Sequence, residues 1–200
     1  MHAARTLPPV DRFWPCDTGR TRVLRALLLV LTGTLILTAS AKIQVPFWPV
    51  PMTLQTAALF LIALAYGRKL ALATVALYLL EGIYGLPVFA GTPERGLGLA
   101  YLLGPTGGYL VGFLLAAGIA GWAAERRMST VALLLALLVA TAAIYLPGVA
   151  WLARFVGLED AIAFGAAPFL LGDLVKLLLV LAVARVAFAP PAGSAVDRSA

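Results

Sequence analysis

The chain has 200 residues, of which 62% are hydrophobic and only 12% charged, with a formal net charge of +6 and a mean hydropathy of +0.98. Soluble domains run about 45–50% apolar and about 25% charged, so a soluble enzyme domain, a disordered chain and a disulfide scaffold are all excluded; the bilayer is the solvent. The Lys and Arg residues are scattered along an apolar chain, which points to membrane topology rather than to nucleic acid. A single cysteine, Cys16, cannot form an internal disulfide, and a single histidine, His2, rules out a histidine triad, a His-rich zinc site and an H-E-x-x-H box. No P-loop string occurs, so the chain cannot bind and split ATP by that route, and energy for any work comes from elsewhere.

In chain order, residues 1–22 form a basic tail broken by Pro8, Pro9 and Pro15 and predicted to be flexible. An apolar span follows from Leu24 to Ala41, and Ala39-Ser40-Ala41 resembles a signal-peptide cleavage site, although several further spans follow it. The segment QVPFWPVPMT, Gln44 to Thr53, cannot be helical because of Pro46, Pro49 and Pro51. A short second span is predicted from Leu54 to Tyr66, turned by Gly67-Arg68-Lys69 into a third over Leu70 to Tyr84. The glycine- and proline-rich stretch Gly85 to Gly104 is predicted irregular. Pro105 opens a fourth span that ends at Glu125-Arg126-Arg127, and a fifth covers Thr130 to Tyr145, ending near Pro147-Gly148. The sixth runs from Pro168 to Phe188, with a disordered tail over 189–200. One membrane domain, residues 23–188, is therefore expected, all-α with six spans.

With both termini inside, the inner face carries eleven basic residues (Arg5, Arg12, Arg20, Arg22, Arg25, Arg68, Lys69, Arg126, Arg127, Arg185 and Arg198). The outer face carries three, Lys42, Arg95 and Arg154. This asymmetry is the positive-inside signature. It places QVPFWPVPMT and the loop around Arg95 on the outside, where an imported solute arrives.

Few ionisable groups lie within the spans. Asp173 and Lys176 are three apart on the sixth, hence neighbours on one helix face. A charge at the centre of a span costs about 2.5–3.5 kcal/mol on insertion scales. The pair is read either as a structural lock or as a polar anchor facing a cavity. Glu81, in LYLLEGIYGLP, is a third such group, either snorkelling or part of a shared outward site. An intramembrane enzyme using Glu81 and Asp173 as acid and base is conceivable by type, but no histidine, metal cluster or partnered nucleophile accompanies them. A carboxylate accepts N–H groups, and a lysine or arginine holds a carboxylate, so the site suits a small ligand with amide-like donors and an acid group. Arg95 is either a solvated loop charge or a ligand contact. Gly104, Gly108, Gly112 and Ala116 form a small-residue ridge for helix packing or for a second copy of the chain. Trp48, Tyr109 and Trp151 fit either interfacial anchors or pocket walls.

Four strings together, PVPMTLQT (Pro49 to Thr56), YLLEGIYGLPVFAG (Tyr78 to Gly91), LLGPTGGYLVGF (Leu102 to Phe113) and PFLLGDLVK (Pro168 to Lys176), resemble the BioY family. That family comprises the biotin-binding S components of energy-coupling factor (ECF) vitamin transporters. The resemblance covers about Ala41 to Val180 and implies a six-helix bundle in the bacterial cell membrane. Both termini would be cytoplasmic, and the loop after the first helix would cap the site. It implies that the chain takes up biotin and is not an enzyme, with no cofactor and no metal. Its partners would be biotin, the lipid bilayer, a transmembrane coupling subunit and ABC-type ATPases, although the chain could act without a dedicated module; a homo-oligomer is a further expectation. The substrate contacts implied are Asp173 and Lys176, with Glu81, Tyr78, Arg95, Gln55 and Tyr109 as further candidates. Asp173 would accept from a ureido N–H, Lys176 would orient it or donate to a ligand oxygen, and Arg95 would meet the tail carboxylate. An S component for a different vitamin is the alternative. The A-x-x-x-A docking motif of S components is missing from the first helix, where Thr34 and Thr38 are the nearest equivalent.

Overall fold

A computed structural model describes residues 7–15, 18–45, 52–126 and 128–188, and it is all-helical apart from one two-residue ribbon. The elements are α1 (Pro9–Phe13), α2 (Gly19–Lys42), β1 (Gln44–Val45), β2 (Met52–Thr53), α3 (Gln55–Ile83), α4 (Gly98–Leu103), α5 (Gly107–Ala124), α6 (Thr130–Val156), α7 (Leu158–Gly165) and α8 (Ala167–Ala187). Among the described residues five helical stretches are long and apolar enough to cross a membrane: Gly19–Lys42, Gln55–Ile83, Gly107–Ala124, Thr130–Val156 and Leu158–Ala187. Their outward faces stay apolar, as in Leu27, Leu31 and Leu35 along α2 and Val131, Leu135 and Val139 along α6. Such stripes suit lipid, and helices are the elements whose backbone groups are satisfied internally there.

Gly67 interrupts α3 with φ +74° and ψ 175°, a backbone state essentially confined to glycine. Gln55 Nε2 donates to Tyr78 Oη at 2.7 Å. Along a straight helix 23 residues would separate those two positions by about 35 Å, so α3 doubles back at Gly67 into two antiparallel limbs. The turn expected at Gly67-Arg68-Lys69 is therefore present. It is stabilised by Glu125, whose Oε1 accepts from the Arg68 N–H at 2.9 Å.

α5 lies between α3 and α6. Its ridge of small residues serves internal packing. A Cβ on Gly108 would fall 2.3 Å from the Pro147 carbonyl oxygen, one on Gly112 would fall 2.6 Å from Ile144 Cα, and Ala116 is fully buried. Gly121 makes the same close approach to the backbone at Arg68.

Several boundaries differ from expectation. The fifth span does not end at Pro147; α6 passes through it to Val156. Pro147 deletes one rung of the ladder, and membrane helices tolerate this where a neighbouring helix packs close, as α5 does through Gly112. The stretch 85–104 is not wholly irregular, since it contains α4, and α7 was not anticipated. In the tail expected over 1–22, α1 lies against α3, and Asp11 pairs with the buried Arg25 at 2.6 Å. Arg12 donates to the Phe188 carbonyl at 3.0 Å, so α1 ties the near end of α2 to the far end of α8. The tail 189–200 and Trp48 lie outside the described residues.

Candidate functional site

At the end of the bundle opposite α1, a cavity of about 360 Å³ opens between α3, α5, α6, α7 and α8. That is within the range of small-molecule sites. Its apolar wall includes Met52, Phe113, Ile144, Leu152, Phe164 and Phe169, and its polar groups include Thr56, Arg95, Tyr109, Tyr145, Asp173 and Lys176.

The buried pair on α8 is the centre of the site. Lys176 Nζ donates to Asp173 Oδ1 at 2.7 Å, and both side chains are nearly excluded from solvent. Two other helices complete the shell. Thr56 on α3 donates from Oγ1 to Asp173 Oδ1 at 3.1 Å and accepts from Lys176 Nζ at 3.1 Å. Tyr145 on α6 donates to Asp173 Oδ2 at 2.5 Å. A carboxylate oxygen offers about two lone-pair sites and an ammonium three donors. Oδ2, with one bond made, keeps an acceptor site, and Nζ, with two bonds made, keeps an N–H. Asp173 and Lys176 therefore present one acceptor beside one donor at the cavity wall, the complement of a group with adjacent N–H and C=O.

Tyr109 forms part of the wall. Its hydroxyl donates to the Gly165 carbonyl at 2.9 Å, and its ring lies where a Cβ on Gly148 would approach within 2.3 Å. The ring meets Tyr145 edge-on, centroids 6.2 Å apart. Trp151 is not a cavity wall; its indole N–H donates to the Gly104 carbonyl at 2.9 Å. The ribbon reaches the site through Met52, whose side chain occupies the notch left by Gly172, one residue before Asp173.

Arg95 lines the mouth of the cavity, exposed, with no hydrogen bond or ion pair from its guanidinium among the described residues. Gln55 and Tyr78, both buried, stand behind the wall rather than in it. Tyr78 receives from Gln55 and donates to the Val88 carbonyl at 2.9 Å, and its ring meets Phe89 edge-on at 5.3 Å. Phe89 in turn stacks on Tyr101 at 4.9 Å. These contacts fix the loop that carries Arg95. Glu81 is half-buried and lies outside the cavity wall, so the shared site of Glu81, Asp173 and Lys176 expected from sequence is not assembled. Thr56 and Tyr145, which sequence reasoning did not single out, complete the polar shell. Each left a faint trace: Thr56 closes the PVPMTLQT string, and Tyr145 is a polar-tipped residue at the end of a run of small and aliphatic residues before Pro147.

The BioY family model matches residues 12–190. A protein of Pyrococcus horikoshii described as a probable biotin transporter BioY is 40% identical over 161 residues, covering 80% of this chain and 91% of that protein. The biotin transporter BioY of Thermotoga maritima is 39% identical over 162 residues, covering 80% of this chain and 94% of its own length. Among solved structures, the S-component for biotin from an ECF-type ABC transporter shares this fold with a TM-score of 0.73 at 22% identity, over 88% of this chain and 96% of that one. With a family match across most of its length and relatives at this level of identity, the chain belongs to the BioY family.

Proposed function

We propose that this membrane protein is the biotin-capturing subunit of an ECF-type vitamin uptake system, working with a separate coupling subunit and ABC-type ATPases or without a dedicated module. The observation that carries the reading is the Asp173–Lys176 pair, buried yet lining a cavity of about 360 Å³. Biotin's ureido group has N–H donors beside a carbonyl, its ring and chain are apolar, and its tail is a carboxylate. Asp173 Oδ2 would accept a ureido N–H, Lys176 would donate to the ureido oxygen, Tyr109 would wall the apolar ring, and Arg95 would meet the tail. Gln55 and Tyr78 would act by holding the loop behind Arg95, and no direct contact is proposed for Glu81.

If each limb of α3 crosses the membrane, the five candidate spans among the described residues become six crossings, which would return both termini to one side. The bias of basic residues supports reading that side as cytoplasmic, in the cell membrane. The expected cap falls on residues 46–51, which lie outside the described residues; the strands that flank them pair through Gln44–Thr53 and Val45–Met52.

Equilibrium binding of labelled biotin to the purified protein, with other vitamins as competitors, tests the reading. Displacement by unlabelled biotin alone is expected. Displacement by a different vitamin at lower concentration would reassign the substrate, and absence of biotin binding would overturn the proposal.

A further inference from the structure

Lys42 is the last residue of α2 and is one of the three basic residues that the charge asymmetry places on the outer face. Although the residue as a whole is exposed, its ammonium is fully engaged. Nζ donates to the Phe89 carbonyl at 2.9 Å, to the Thr92 carbonyl at 2.7 Å and to Thr92 Oγ1 at 2.9 Å. An ammonium has three donors, so every one is committed to a single turn of chain about 50 residues away in sequence. The turn closes on itself as well, because Thr92 Oγ1 donates to the Phe89 carbonyl at 2.7 Å.

That turn is the platform for Arg95. The Arg95 N–H donates to the Gly91 carbonyl at 2.8 Å, and Gly91, at φ +72°, lies against the arginine stem: a Cβ there would come within 2.7 Å of Arg95 Cδ. Gly91 lies between the two residues that Lys42 grips. The same end of α2 also anchors the opposite rim, since the Ile43 carbonyl accepts from the Leu54 N–H at 3.3 Å beside the ribbon that seats Met52 on α8. The spacing between the loop bearing Arg95 and the rim bearing Met52 therefore passes through Lys42. Lys42 itself does not line the cavity.

We propose that Lys42 is a positioning residue for Arg95, fixing the turn over residues 89–92 to the end of α2 so that the guanidinium meets the carboxylate tail of the bound ligand. This inference rests on the reading of the cavity as a biotin site. It predicts a loss that depends on the tail's charge, whereas general support of the fold would weaken every ligand alike.

The test compares biotin with biotin amide, whose neutral tail offers no carboxylate, on the same preparations of the full chain. Wild type should bind biotin more tightly than the amide; failure of wild type to bind biotin would overturn the functional reading and this inference with it. Lys42→Met keeps the aliphatic stem and removes the donors. It should weaken biotin binding about tenfold, the scale of a lost charge-assisted hydrogen bond, while the amide changes less than about twofold. In an Arg95→Ala background Lys42→Met should no longer alter the ratio of the two affinities. Misfolded protein lowers the number of sites but not that ratio. If Lys42→Met yields no folded protein, Thr92→Val, which removes a hydroxyl accepting from Lys42 and donating to Phe89, should show the same selective loss in smaller measure. Equal losses for both ligands, or none for either, would overturn the role of Lys42 while leaving the biotin site standing.

Discussion

Tyr145 donates its hydroxyl hydrogen to Asp173 Oδ2 at 2.5 Å, the oxygen that Lys176 and Thr56 leave free. The two oxygens of one carboxylate are thereby held from three different helices, and the carboxyl plane has little freedom to turn. A ligand N–H meeting Oδ2 finds an acceptor already oriented. Hydrogen bonds to charged groups contribute about 1.5–3 kcal/mol, so Tyr145→Phe is expected to weaken biotin binding by roughly ten- to a hundredfold, without loss of folded protein. Calorimetric titration of the purified variant measures it. Wild-type affinity would show that Asp173 is oriented sufficiently by Lys176 and Thr56.

The ion pair itself separates stability from binding. Removing one partner of a buried pair leaves an uncompensated charge and costs about 3–5 kcal/mol, whereas replacing both is often neutral. Asp173→Asn strands the Lys176 ammonium, and Lys176→Met strands the Asp173 carboxylate, each within an apolar stretch of α8. Both single variants should unfold at clearly lower temperature than wild type, and the double variant should recover much of that loss. Biotin binding should be absent in all three. A double variant that stays as unstable as the singles would mean the pair contributes through Thr56 and Tyr145 rather than through its own charge balance.

Both results turn on contacts whose legibility in the sequence differs. Asp173 and Lys176 stand out because a charge in a span is costly, and their spacing of three fixes them as neighbours on any helix. The turn at Gly67 was legible for a similar reason, glycine and two basic residues interrupting an apolar run. Thr56 and Tyr145 were not, because they reach Asp173 from 117 and 28 positions away, and nothing in the periodicity of one helix reports its register against another. Glu81 misled for the complementary reason. Its depth along α3 was readable, but the direction of its side chain depends on how the two limbs of α3 pack. Pro147 misled because its local rule, that proline ends a helix, was outweighed by the close approach of α5. Lys42 looked like a topology marker, since its three acceptors all belong to a loop whose path no local pattern gives.

Gly67 is expected to be irreplaceable at the turn of α3. A side chain there would have to adopt φ +74° with ψ 175°, and its Cβ would fall 2.6 Å from Pro8 Cγ. The backbone state alone costs about 1–3 kcal/mol for a non-glycine residue, and relieving the clash would push α1 away from α3. Gly67→Ala should therefore lower the thermal midpoint and also expose Arg25 and Asp11 to solvent, read as faster proteolysis near residue 14. Gly85→Ala is the comparison, since Gly85 also has positive φ but open space at its Cβ, so it bears the backbone cost without the clash. An equal effect from the two would remove the contact with Pro8 from the explanation.

Gly112 links helix packing to the cavity. Its Cβ would meet Ile144 Cα at 2.6 Å and the carbonyl oxygens of Ala143 and Ile144 at 2.9 Å, all backbone atoms that no rotamer change can move. Even one methyl there must displace α6 from α5, at about 1–3 kcal/mol for an overpacked site. The displacement acts on Tyr145, the next residue along, which orients Asp173 and meets Tyr109 edge-on. Gly112→Ala should then reduce both stability and biotin affinity, the latter by about the tenfold that 1.4 kcal/mol represents. Gly118→Ala, lower on the same helix, meets only Leu72 Cδ2 at 3.6 Å and should leave affinity unchanged, since an ordinary contact accepts the methyl. Thermal unfolding and biotin titration of the two variants decide the matter. If Gly112→Ala binds like wild type, α6 can shift without carrying Tyr145 away from Asp173, and the cavity is set by α3 and α8 alone.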